Sequence, residues 1–307
     1  MAEIKDCALC EEVGNLQIST LYSGISRGTE RLVFEGKVPA SEHKTMRAPF
    51  QGGDFTFPVK YGYSAVGLIE AGERAGETVF ALYPHQTRFS IPAEAVVSVP
   101  AAVPAERAVL AANMETALNI VWDAAVHPGD KVVVVGAGVV GSLTAYLCAQ
   151  MPGTEVHLVD LDPSKADLAA CLGCNFALSA DVPGEADVVI HSSASSAGLT
   201  TAIACAGTEA TIAEASWFGT DPTIVKLGAQ FHQKRLRIVG TQVGRIPAHM
   251  AARWTYHRRL CKALDLLADP VLDVLISGES MFENLSDDYP KILMSPDTLC
   301  HRIRYTT

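Results

Sequence analysis

The sequence predicts an α/β protein, a doubly wound parallel sheet carried together with a smaller, mostly β unit. Three observations predict it. Between about residues 130 and 240, β-branched apolar runs alternate with helix-like stretches, the pattern of parallel strands joined by crossover helices. The first run passes directly into Gly136-x-Gly138-x-x-Gly141. Before it lie turn-rich segments with short apolar or alternating stretches, such as "SAVGLIEAG" and "ETVFALYP".

The 307 residues are 49% hydrophobic and 19% charged, which suits a folded chain with a large core and more than one domain. A net charge of -10 argues against nucleic acid or an anionic membrane as partner, because both require clustered cations. "QKRLR" is the nearest basic patch, and it runs straight into apolar sequence. No apolar run reaches a membrane span, and "MAEIKDCALC" lacks a signal pattern. A cytoplasmic location and a small-molecule partner are the expectation.

Val132–Val135 read as a buried parallel strand, and the stretch with Val140, Leu143 and Leu147 on one face as the following helix. The three glycines have separate tasks. Gly136 allows the tight turn, Gly138 admits a pyrophosphate close to the backbone, and Gly141 lets helix and strand pack closely. The helix N-terminus at Val139 and Val140 offers N–H groups to phosphates. A second strand, "EVHLVD", ends in Asp160, near the roughly 20-residue offset expected of a ribose-binding carboxylate. Such a carboxylate repels a 2′-phosphate, so NAD is favoured. Lys165, five residues on, keeps NADP open as the alternative.

"DPSKADLAACLG" then reads as a helix, "ADVVIHSS" as a strand, "AGLTTAIACAG" as a helix, "EATIAEAS" as a strand, and "RLRIVGTQVG" closes the set. Ligands of such sheets bind outside the carboxyl ends of the strands, which brings Ser192, Ser193, Thr241 and Gln242 near a cofactor. His191 ends a buried strand and reads as packed or hydrogen-bonded. Past residue 248 a helix pattern runs through Leu260, Leu264 and Leu267. Borders are expected at 121/122 and 248/249, with 1–121 plus 249–307 forming the β unit and 122–248 the dinucleotide-binding unit. Cys7-x-x-Cys10 and Cys171-x-x-Cys174 have zinc-knuckle spacing but lie in strand-like and helix-end contexts, so no metal is expected at either.

"SGISRGTE" (23–30), "YGYSAVGLIEAG" (61–72), "AANMETALNIVWDAAVHPGDKVVVVGAGVVG" (111–141) and "RIVGTQVGR" (237–245) together resemble the medium-chain dehydrogenase/reductase superfamily, in order and over nearly the whole chain. "SGISRGTERLVFEGKVP" looks most like the branch containing bacteriochlorophyllide a dehydrogenase. The resemblance implies a Rossmann domain inserted in a GroES-like substrate domain, an active site in the cleft between them, and a homodimer.

In zinc-dependent members of that superfamily the first ligand is the Cys of G-I-C-x-(T/S)-D and the second the His of G-H-E. The matching positions here are Ser26, in Gly24-Ile25-Ser26-Arg27-Gly28-Thr29-Glu30, and Tyr63, in Gly62-Tyr63-Ser64. Only Glu115 approximates the third ligand, and the structural-zinc lobe is missing. A hydroxyl and a phenol are poor zinc ligands near neutral pH, because each must give up a high-pKa proton. The expectation is an enzyme without zinc, in which hydrogen-bond donors take over the polarising role.

Tyr63 is the first candidate, as a phenol with its pKa lowered by a nearby cation; Arg27 is a candidate for that cation or for holding an anionic substrate group. Ser26 is a second donor, Glu115 orients a water or relays a proton, and Thr116 lies beneath the nicotinamide by resemblance. Plain readings stand beside these: Tyr63 and Tyr61 as packing, Ser26 as a turn former, Arg27 as an ion-pair partner. His85 and the segment 43–55, with Arg47, Gln51, Asp54 and several aromatic residues, are candidate lining for a large, partly polar ligand or an ordinary surface loop. The function these features imply is NAD-linked interconversion of an alcohol and a carbonyl. Reduction of a polarised C=C bond and non-catalytic dinucleotide sensing or scaffolding are the alternatives.

Overall fold

Apolar residues alternating with polar ones make Leu16–Ser26 an eleven-residue strand, β1, and its neighbours define the first unit. In the computed structural model, which describes residues 1–9 and 12–306, β1 is followed by the two-residue strands β2 (Gly52–Gly53) and β3 (Val59–Lys60). Then come β4 (Ala65–Ile69), β5 (Thr78–Ala81), β6 (Arg88–Ile91) and β7 (Val96–Ser98). The second unit contributes β8 (Lys131–Val135), β9 (Glu155–Asp160), β10 (Asn175–Leu178), β11 (Ala186–His191), β12 (Ala206–Glu214) and β13 (Arg237–Gly240). The chain returns to the first sheet with β14 (Ile276–Met281) and β15 (Cys300–Arg304).

The first sheet has the order β14-β15-β1-β4-β5-β7, with β6 also paired to β1. One edge of β1 is shared: Leu16–Ser19 pair with β6, and Tyr22–Ser26 pair with β15. The second half of β1 is therefore flanked on both sides, and Ser23–Ser26 are all buried. Ile18, Ala65, Ile69, Val79, Phe89 and Ile91 form one core of this unit. Ile25, Leu293, Ile303 and Tyr305 form another. Helix α1 (Arg27–Phe34) leaves directly from the end of β1, and α2 (Ala105–Ala108) comes late in the N-terminal part.

The second sheet is parallel, in the order β10-β9-β8-β11-β12-β13. Its helices are α3 (Ala111–Ala124), α4 (Val139–Ala149), α5 (Lys165–Cys171) and α6 (Ser196–Cys205). The crossover through α4 steps from β8 to β9, and that through α6 steps the opposite way, from β11 to β12. Right-handed crossovers in opposite directions put their helices on opposite faces, which makes the sheet doubly wound. The strand order reverses between β8 and β11, the switch point beside which such sheets bind ligands. The fold class is the expected α/β sheet with a mostly β companion.

The compact units are Met1–Ala112 with His257–Thr307, and Asn113–Tyr256. The first border falls inside α3 and the second at the start of the helix Tyr256–Leu266, where a continuous helix leaves no compositional mark. No helix among the described residues is long and apolar enough to cross a membrane. Cys171 is exposed, whereas Cys174 is buried, its thiol pushed up to about 12 by desolvation. Cys10 lies outside the described residues.

Candidate functional site

The glycine turn of the second unit is tightly packed at two of its three glycines. Gly136 has φ +113, and a Cβ there would lie 2.8 Å from the Ser193 backbone nitrogen. Its own N–H donates to the Val159 carbonyl at 2.8 Å. A Cβ on Gly141 would lie 1.9 Å from the Gly136 oxygen, so the first turn of α4 sits tight against the strand end. Gly138 differs: a Cβ there would meet nothing within 4 Å. Space is left over the backbone at the N-cap of α4, where no side chain caps the helix. Val139 is buried and Val140 half-buried behind it.

Asp160 braces this turn. One carboxylate oxygen accepts from Ala137 N at 2.8 Å, and the other from Leu161 N at 2.7 Å and Asp162 N at 3.1 Å. A carboxylate offers about four acceptor positions, so roughly one remains for a ligand hydroxyl. Lys165 opens α5, half-buried. Thr241 Oγ1 donates to Asp123 on α3 at 2.6 Å, so its proton is committed within the protein. Ser193 is exposed beside Gly136, and its hydroxyl lies 2.8 Å from His191 Nε2. His191 is fully buried, and its Nδ1 lies 2.7 Å from Glu214. Glu115 is buried on α3 and Thr116 is half-buried next to it.

In the first unit Ser26 is the N-cap of α1, and its backbone N–H donates to Glu30 at 2.7 Å. Glu30 is fully buried. Its other oxygen accepts from the Tyr289 hydroxyl at 2.7 Å and lies 3.0 Å from His85 Nε2. His85 Nδ1 continues to Ser23 Oγ at 2.8 Å, and Ser23 to the Tyr305 hydroxyl at 2.8 Å. The Tyr63 phenol is raised above its ordinary range, first by burial and then by the Glu30 charge; hydrogen bonds with the Ser26 and Thr29 side chains offset part of this.

The expected lowering of Tyr63 by Arg27 is therefore corrected. Arg27 turns away, its Nε donating to the Leu293 carbonyl at 3.1 Å, and the charge that acts on Tyr63 is the anion one helical turn further on. Ser26 and Tyr63 are brought together; Arg27 does not join them. His85, a candidate lining residue of the sequence, is paired with Glu30, and the tyrosines 289 and 305 are additions to the sequence reading. Glu30 stands one residue past the position of a capping-box acid, so the local pattern did not flag its bond to the Ser26 N–H.

Gly62 makes this arrangement possible. Its φ is +114, and a Cβ there would lie 2.7 Å from the His85 ring. Gly62→Ala combines backbone strain with a clash against a buried ring. It is expected to cost about 3 kcal/mol, measured as a fall in the urea midpoint at unchanged slope.

The segment 43–55 mixes ion pairs and rings. Arg47 binds Asp54 and the Gln51 carbonyl. Phe50, 43% exposed, stacks on Tyr83 at 5.1 Å between ring centroids. Phe55 lies 6.0 Å from Tyr61, which lies 6.0 Å from Tyr63, so aromatic contact runs from this segment to the phenol. Among the described residues no three His, Cys, Asp or Glu side chains form a group that could hold a metal ion. The donors at the two matched zinc-ligand positions are a hydroxyl and a phenol bonded to each other, the phenol holding its proton more tightly than usual. This donor set does not fit zinc.

No protein-family model matches the chain, and no curated protein matches it either. Solved structures do. A candidate zinc-binding dehydrogenase from Clostridium scindens ATCC 35704 superposes with TM-score 0.79 at 17% identity, covering 98% of this chain and 93% of the other. The alcohol dehydrogenase TADH from Thermus sp. ATN1 gives 0.75 at 17% identity, covering 99% and 98%. The alcohol dehydrogenase rspB from E. coli CFT073, complexed with NADH, gives 0.72 at 16% identity, covering 98% and 94%. At such identities the likeness establishes the architecture: the chain has the Rossmann and GroES-like fold of these dehydrogenases.

Proposed function

We propose that the protein is an NAD-linked oxidoreductase that interconverts an alcohol and a carbonyl without a catalytic zinc. The observation that carries the reading is the glycine turn, packed shut at Gly136 and Gly141 and open over Gly138. The backbone N–H groups opening α4 would hold the pyrophosphate. Asp160 would accept a ribose hydroxyl at its remaining position and repel a 2′-phosphate, which favours NAD over NADP. When bound, the nicotinamide supplies or receives the hydride. The relative complexed with NADH supports the same cofactor class.

The chain's own contribution is polarisation. A phenol that stays neutral, hydrogen-bonded with Ser26 and Thr29, suits donation to a carbonyl oxygen on which negative charge develops. Glu115 would orient a water or relay the proton, and Thr116 would lie beneath the nicotinamide. The aromatic segment reaching Tyr61 suits a bulky, partly polar substrate, in keeping with the ring-bearing alcohols that the "SGISRGTE" resemblance suggests. Pairing of two copies into a homodimer and a cytoplasmic setting complete the proposal. The neutral donor also favours a second reading, C=C reduction, because an enolate oxygen needs the same bond.

Fluorescence titration with NADH and NADPH tests the cofactor. NADH is expected to bind at least tenfold more tightly. Absence of binding by either removes the reading. NADH binding without turnover of any alcohol, ketone or enone supports a sensor or scaffold instead.

A further inference from the structure

At the switch point of the second sheet, beside the glycine turn, three side chains form a continuous chain that the proposed chemistry does not use. His191 ends β11 and pairs in register with Glu214, which ends β12, and with Val135 of β8 on its other side. Glu214 Oε2 lies 2.7 Å from His191 Nδ1, and His191 Nε2 lies 2.8 Å from Ser193 Oγ. The imidazole is fully buried, whereas Ser193 is exposed. The other Glu214 oxygen accepts from Ser216 N at 2.9 Å, which fixes the carboxylate. The Ser216 hydroxyl accepts from Ala194 N at 3.0 Å, which fixes the turn after Ser193.

Hydrogen-bond polarity follows from the donor inventory. A carboxylate only accepts, so in the neutral imidazole the proton sits on Nδ1 and Nε2 is an acceptor. Ser193 must then donate its proton inward to Nε2. Ser195 Oγ accepts from Gly198 N at 3.0 Å and lies 3.0 Å from Ser193 Oγ, to which it can donate. Ser193 has thus given its one proton and received one bond. What it turns outward is a single lone pair. Its backbone nitrogen stands where a Cβ on Gly136 would collide, so this lone pair is held at the edge of the phosphate turn.

We propose that Glu214 and His191 are positioning residues that fix Ser193 as a hydrogen-bond acceptor for a ribose hydroxyl of the bound dinucleotide. The proposal rests on the NAD-binding reading above and adds to it the device that sets the polarity of one contact. Glu214→Gln is the informative change, because it keeps size and shape. The amide oxygen retains the bond from Ser216 N, and its NH2 donates to Nδ1. The ring proton then moves to Nε2, which donates to Ser193, and the Ser193 proton swings outward against the ribose donor.

The test uses the full chain and NADH. Glu214→Gln and Ser193→Ala are each expected to weaken NADH binding about tenfold, and the double variant no further than either alone. Imidazole 15N spectra should show Nδ1–H in the wild type and Nε2–H in Glu214→Gln, which a purely packing role would not require. Unchanged binding in Glu214→Gln, a further loss in the double variant, or an Nε2–H wild type each overturns the proposal. A wild type that binds no NADH removes the cofactor reading along with it. A wild type that binds NADH while Glu214→Gln is indifferent removes this inference alone.

Discussion

Gly138→Val is expected to abolish measurable NADH binding while the protein stays folded. The backbone at 138 has φ -72 and ψ 175, which any residue adopts, and the new Cβ would meet nothing within 4 Å. Thermal stability should move by no more than about 0.5 kcal/mol. The valine side chain would stand in the space through which a pyrophosphate approaches. Affinity should fall at least about 100-fold, roughly 2.8 kcal/mol. Gly141→Ala is the contrasting control, because its Cβ would sit 1.9 Å from the Gly136 oxygen and the strand–helix junction must open. That variant should lose about 3 kcal/mol of stability. Calorimetry and a fluorescence titration of both variants separate the two roles. Equal binding by wild type and Gly138→Val would show that no phosphate passes over that residue.

Tyr63→Phe is expected to lower kcat for carbonyl reduction by about 100- to 1,000-fold, the usual consequence of removing one donor to a developing oxyanion. NADH affinity should be unchanged, because the phenol belongs to the substrate side of the proposal. The pH dependence carries the sharper information. Burial and the Glu30 anion raise the Tyr63 pKa, so the proton stays on the phenol across the working range. The wild-type rate should therefore show no inflection from this group between about pH 6 and 9. The sign also holds for stability: a phenol raised in the folded state favours folding less only as pH climbs past its unfolded value of about 10. An inflection near neutrality that disappears in Tyr63→Phe would instead mean an activated phenolate.

Much of the second unit was legible because buried parallel strands are written as continuous β-branched runs. β8, β11 and β13 announce themselves in this way, and β9 and β12 by shorter apolar stretches. β10 does not: Asn175–Leu178 is a four-residue edge strand with no buried residue, and it follows directly on a helix whose apolar pattern runs toward it. The compact units divide inside α3, where an unbroken helix carries no mark in the sequence.

The site was legible where geometry is local and illegible where it is not. The glycine spacing encodes the turn, because each glycine answers a collision within a few residues or with the adjacent strand end. The electrostatics of Tyr63 were misread from adjacency in the "SRGTE" segment, where Arg27 is the nearer charge to Ser26. Helix α1 turns that side chain to the Leu293 carbonyl and returns Glu30 to the Ser26 N–H. His191 and Glu214 end two separate apolar runs, and only the parallel register of β11 and β12 reveals that they are neighbours. A sequence states which residues end strands; which ends meet is a property of the sheet.

The proposed chemistry depends on hydroxyl donors standing where a Lewis-acid ion would otherwise polarise the substrate. Metal content and NADH-linked turnover, measured on one preparation before and after exhaustive chelation, test that most directly. The expected result is less than one-tenth of a zinc per chain, on the order of a trace, with turnover unchanged by chelation. One tightly held zinc per chain, with activity lost on its removal and regained when it is restored, would contradict the account.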